Sequence, residues 1–111
     1  MIPSVADRLR HILDAIEHID VFLQDGLNVQ NEMQASAIFF KLIVIGEACS
    51  HIPSSFRKEF SDIPWAGMLG LRNVLAHEYF QLEAERIRHA IATLPQIKAR
   101  IVEVIDKITR A

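Results

Sequence analysis

Residues 5–23 read Val-Ala-Asp-Arg-Leu-Arg-His-Ile-Leu-Asp-Ala-Ile-Glu-His-Ile-Asp-Val-Phe-Leu, and this stretch decides the fold class. Val5, Leu9, Ile12, Leu13, Ile16, Ile19 and Leu23 recur at steps of three and four, which a helix gathers into one continuous apolar stripe. Pro3 before the stripe and Gly26 after it match the usual asymmetry of helix ends. Working outward, a second helix is expected from about Val29 to His51, stopping before Pro53. It is apolar around most of its circumference from Ile38 to Ile45, which predicts a central position. Pro53-Ser54-Ser55 opens a short helical turn carrying Phe56 and Phe60, and Asp62-Ile63-Pro64-Trp65 forms a turn and the next helix start. The last segment, Leu82 to Ile108, repeats Ile87, Ile91, Leu94, Ile97, Ile101, Ile105 and Ile108, with Pro95 inside it predicting a kink or a break. No segment alternates with the period of a strand. The expectation is an all-α, up-and-down bundle of four main helices plus a short one, with residues 1–111 as a single domain. So much apolar surface on so few helices also predicts a helix–helix homodimer.

Lys and Arg number 12 against 14 Asp and Glu, for a net charge of −2. Bulk positive charge therefore cannot hold this chain to nucleic acid, and any such site must be local. The single cysteine, Cys49, excludes an internal disulfide and fits a reducing cytosol. Lys41 interrupts the longest apolar run, short of the ~20 residues that a membrane span needs. Met-Ile-Pro-Ser followed by Asp7, Arg8 and Arg10 does not resemble a signal peptide. A cytoplasmic protein is expected.

Three constellations read as structure rather than chemistry. Asp7, His11, Asp14 and His18 share one helix face with metal-ligand chemistry. That face lies almost opposite the apolar stripe, where solvent is the ordinary neighbour, and no metal site is assigned. Cys49, beside His51, lacks a nucleophile motif and reads as a buried thiol. Gly67 and Gly70 have no preceding strand and no following Lys-Ser/Thr, so they read as sites of close helix packing or of flexibility at a helix start.

Chemistry concentrates in Gly70-Leu71-Arg72-Asn73-Val74-Leu75-Ala76-His77-Glu78-Tyr79-Phe80. Arg72 and Tyr79, seven apart, share a helical face, while Asn73 and His77, four apart, are stacked. Arg72 and His77 are about 140° apart around the axis. Their convergence needs Arg72's reach, a helix ending near His77, or a second protomer. An imidazole can take a proton near neutral pH, and a guanidinium can hold a phosphate. The residues alone leave two readings open: a phosphate-handling site, or a polar helix end with His77 as a cap and Tyr79 at the edge of the core.

Arg72…His77-Glu78-Tyr79 resembles the R-x-x-x-x-H-x-Y signature of the HEPN superfamily, in its HepT-like branch. Ile45-Gly46-Glu47-Ala48, Ile52-Pro53…Phe56, Ile63-Pro64-Trp65 and Leu71-Arg72-Asn73 fall in that family's order and approximate spacing. The resemblance implies a helical dimer acting as the toxin of a toxin–antitoxin pair, a metal-independent endoribonuclease needing no cofactor. It implies Arg72 and His77 as catalytic residues and RNA as substrate. It further implies a minimal nucleotidyltransferase antitoxin that transfers AMP to Tyr79. Asn73 and Glu47 are candidates for holding RNA or orienting the catalytic pair. The alternative is a non-catalytic helical dimer that binds a nucleotide or a partner through Arg72, His77 and Tyr79.

Overall fold

In a computed structural model, residues 4–28, 30–78 and 84–110 are described, with the side chains of 73–78 and 84–86 left aside. The architecture is all-α, with no strand among the described residues. The helices are α1 (Val5–Phe22), α2 (Glu32–Ser50), α3 (Ser54–Glu59), α4 (Trp65–Glu78) and α5 (Ala84–Thr109).

Helix α1 starts where its sequence provides a reciprocal cap. The Ser4 hydroxyl accepts from the Asp7 N–H at 3.1 Å, and the Asp7 carboxylate accepts from the Ser4 N–H at 2.9 Å. Hydrogen bonding from Ser4 holds the Asp7 carboxyl below its ordinary range. Of the expected stripe, Leu9, Ile12, Ile16 and Ile19 are buried and Val5, Leu13 and Leu23 are partly buried against the same core, which Ala15 joins. His11, Asp14 and His18 are exposed, as a face opposite the core should be.

The link to α2 turns at Gly26, whose φ of +86° favours glycine. Gln34 ties this turn down, accepting from the Asn28 N–H at 2.7 Å and donating to the Phe22 and Gly26 carbonyls at 2.9 Å each. Helix α2 begins at Glu32 and not near Val29, because the Asn31 side chain accepts from the Gln34 N–H at 3.1 Å and caps the first turn.

The central position expected of α2 is observed: it packs on both α1 and α4, while α5 returns along α1. By length and composition α2 is a helix that could cross a bilayer, where the sequence pattern predicts too short an apolar run. Its packing on two neighbours is that of a core helix. Its outward side retains apolar residues, with Phe40 54% and Met33 84% exposed.

Pro95 does not split α5, which is assigned as one helix on both sides of it. A proline inside a helix costs about 3 kcal/mol. The buried residues Ile87, Leu94, Ile97, Ile101 and Val104 stay in helical register across it, and their packing outweighs that local cost. Arg100 fastens α5 to the turn before α4, donating to both carboxylate oxygens of Asp62.

Candidate active site

Helices α2 and α4 run antiparallel. The Cys49 Sγ lies 3.9 Å from the Trp65 carbonyl oxygen, whereas Gly46, earlier on α2, lies against Met68 and Arg72, later on α4. The crossing is tight because residue 46 has no side chain. A Cβ there would come 2.8 Å from the Arg72 backbone nitrogen and 3.0 Å from the Met68 carbonyl oxygen. Gly67 and Gly70, expected to serve close packing or flexibility at a helix start, have no atom within 4 Å of an added Cβ, which removes the packing alternative. They border an apolar cavity of about 710 Å³ between α2, α4 and α5, lined also by Leu42, Ile45, Leu94 and Ile97. Gly46 is therefore the close-packing glycine.

The tight crossing brings two candidate residues together. Arg72 Nη1 donates to Glu47 Oε2 at 3.0 Å, from opposite helices. One turn further along α2, His51 Nε2 lies 3.2 Å from Glu47 Oε1. Glu47 thus bridges a guanidinium and an imidazole, and Arg72 first, then His51, holds its carboxyl below the ordinary range. All three side chains are about half exposed and open to a solvent-borne ligand.

His77 and Asn73 lie further along α4, within its helical span, and their side chains fall outside the described residues. Tyr79 lies outside them altogether. His51 is absent from the sequence candidates, although its four-residue spacing from Glu47 on one helix is the signal that could have found it. Cys49 is fully buried, and burial pushes its thiol up to about 11, so it is no nucleophile at neutral pH. Among the described residues no group of three or more His, Cys, Asp or Glu side chains is placed to hold a metal ion.

Residues 12–104 match the family model described as "Ribonuclease HepT-like". The chain belongs to this family. Among similar proteins, one of Methanocaldococcus jannaschii with a provisional RNase name is 42% identical over 78 residues, covering 68% of this chain and 72% of that protein. Another with a provisional RNase name, from Caldanaerobacter subterraneus subsp. tengcongensis, is 30% identical over 104 residues, covering 89% of this chain and 92% of its own. A Thermococcus cleftensis protein provisionally named ribonuclease HepT is 29% identical over 101 residues, covering 87% and 92%. No solved structure matches this HepT-like chain.

Proposed function

We propose that this HepT-like protein is an endoribonuclease that cleaves RNA through the substrate's own 2′-hydroxyl and acts as a cytoplasmic toxin. One observation carries the reading: the contact of Arg72 with Glu47 across the Gly46 crossing, which holds a guanidinium half exposed one and a half turns before His77. A guanidinium has five N–H donors, so one given to Glu47 leaves the fork able to engage phosphate oxygens. His77 takes the proton from the ribose 2′-hydroxyl. The resulting oxyanion attacks the neighbouring phosphorus, and Arg72 stabilises the charge that develops there. RNA brings its own nucleophile, so the reaction requires neither a metal-activated water nor a covalent enzyme intermediate. Asn73 and Glu47 assist by holding RNA or orienting Arg72.

The control step assigned to Tyr79 is AMP transfer by a nucleotidyltransferase antitoxin. An AMP on that phenol would bring a phosphate that competes for Arg72. Assembly as a homodimer is supported by Met33 and Phe40, exposed on α2, whose outward side leads toward Glu47 and His51.

Purified protein is expected to cleave RNA in EDTA and to leave 2′,3′-cyclic phosphate ends. His77→Ala and Arg72→Ala should each lower the rate by about a hundred- to ten-thousandfold while the helical circular-dichroism signal is retained. Cleavage that requires Mg²⁺, or that persists in His77→Ala, overturns the chemistry. A Phe40→Asp variant should be monomeric by light scattering where the parent is dimeric, and a monomeric parent overturns the dimer. With partner and ATP, intact mass should rise by AMP in the parent and stay unchanged in Tyr79→Phe.

A further inference from the structure

The cleavage chemistry assigns a base to the attacking oxygen but no acid to the departing one. As the P–O5′ bond breaks, the 5′-oxygen takes the bonding electron pair and needs a proton. We infer that His51 is the general acid that supplies it, a role that rests on the ribonuclease reading above.

Three features of the site carry the assignment. First, the His51 ring is held at the phosphate-handling group: Glu47 meets Arg72 at 3.0 Å through one oxygen and His51 Nε2 at 3.2 Å through the other. The guanidinium and the imidazole are thus both held to one carboxylate. Second, Glu47 sets the direction of proton transfer. A carboxylate only accepts, so the Nε2 hydrogen of the ring points to Glu47, and in the imidazolium form Nδ1 carries the second hydrogen, the one that can be handed outward. This is the way a carboxylate fixes the tautomer of a catalytic histidine. Imidazole is also the side chain that exchanges protons in the neutral range.

Third, the helix directions place residues 51 and 77 on different sides of the crossing, and an in-line displacement needs its base and its acid on different sides of phosphorus. Because α2 and α4 are antiparallel at the Gly46–Arg72 crossing, His51 and His77 lie on opposite sides of it. Each is five residues from the crossing, about 7.5 Å along its helix axis at 1.5 Å per residue. The His51 ring turns back from its end toward Glu47, and so toward Arg72.

The step balances. The 2′-hydroxyl proton passes to His77 as the O2′–P bond forms. The P–O5′ bond breaks as the His51 Nδ1 proton passes to O5′. The products are a 2′,3′-cyclic phosphate and a 5′-hydroxyl, and solvent exchange returns both rings to their starting states.

The test replaces the leaving group. A short RNA carrying the linkage the protein cleaves is prepared with oxygen or with sulfur at the bridging 5′ position, since a thiolate departs without protonation. His51→Ala and His51→Gln should slow the oxygen substrate by about a hundred- to ten-thousandfold. Both should cleave the sulfur substrate within a few-fold of the parent, whereas His77→Ala should fail on both. His51→Gln keeps a donor for Glu47, so its defect cannot come from a lost partner alone. If the His51 variants slow both substrates equally, or neither, His51 is not the acid while the ribonuclease reading stands. If the parent cleaves neither substrate, the ribonuclease reading fails first.

Discussion

The two sides of α4 obey opposite rules. Toward α2, backbone meets backbone at Gly46, and a single methyl group would collide with Arg72 and Met68. Toward α5, Gly67 and Gly70 look onto open space beside a cavity of about 710 Å³. The tight side fixes the Arg72 guanidinium relative to Glu47, and the loose side leaves room behind it. A glycine's role is thus set by what stands across from it, which no reading of the residue alone supplies.

Substitution at the crossing should have the largest effect. Gly46→Ala overpacks a rigid backbone contact and should destabilise by about 1–3 kcal/mol. At roughly 4–8 °C per kcal/mol for a domain near this size, its thermal midpoint should fall visibly. RNA cleavage should fall with it, because Arg72 must move. An unchanged midpoint would show that the crossing yields at no cost, and the contrast between the two sides would collapse.

Gly70→Ala should move the midpoint the other way. It lies inside a helix with room for a methyl, so alanine should stabilise by about 0.5–1 kcal/mol. A loss of stability would mean the cavity side is as closed as the crossing.

The smallest effect concerns acid. Glu47's carboxyl is held below its ordinary range by Arg72 and then His51, so the folded state binds that proton at lower pH than the unfolded chain does. Its contribution is present above the ordinary glutamate value of about 4.3 and is lost as pH falls through the depressed value. Between pH 6 and pH 3 the urea midpoint of the parent should therefore fall slightly more steeply than that of Glu47→Gln. Because the group is exposed and screened, the difference should be small. A steeper fall in Glu47→Gln would contradict the pairing seen at the crossing.

The helices were legible wherever burial repeats at helical period. Ile12, Ile16 and Ile19 of α1, and Leu94, Ile97 and Ile101 of α5, are apolar in sequence and buried in the fold. Helix α2 was legible as central but not in orientation, because a helix apolar all round carries no stripe to point inward. Phe39 is buried and Phe40 is 54% exposed, and nothing in the two letters separates them. Of the kink or break that Pro95 predicts, the break does not occur, because the packing on either side outweighs the local cost. Of the site, Arg72 and Glu47 were legible from motif and order, and the structure brings them together. Gly46 was quoted only as part of a motif, since its steric role depends on residues 22 and 26 positions away. His77, Asn73 and Tyr79 remain assigned by motif.

The single thiol gives the molecule an internal clock. Cys49 sits at the seam between α2 and α4, fully buried and beside the Trp65 carbonyl, with its proton held up to about 11. A thiol reagent at pH 8 meets no thiolate in the closed state, so labelling proceeds only through molecules whose seam has momentarily parted. The labelling rate therefore rises with the population of open seam, taken on the same two helices that carry Glu47 and Arg72.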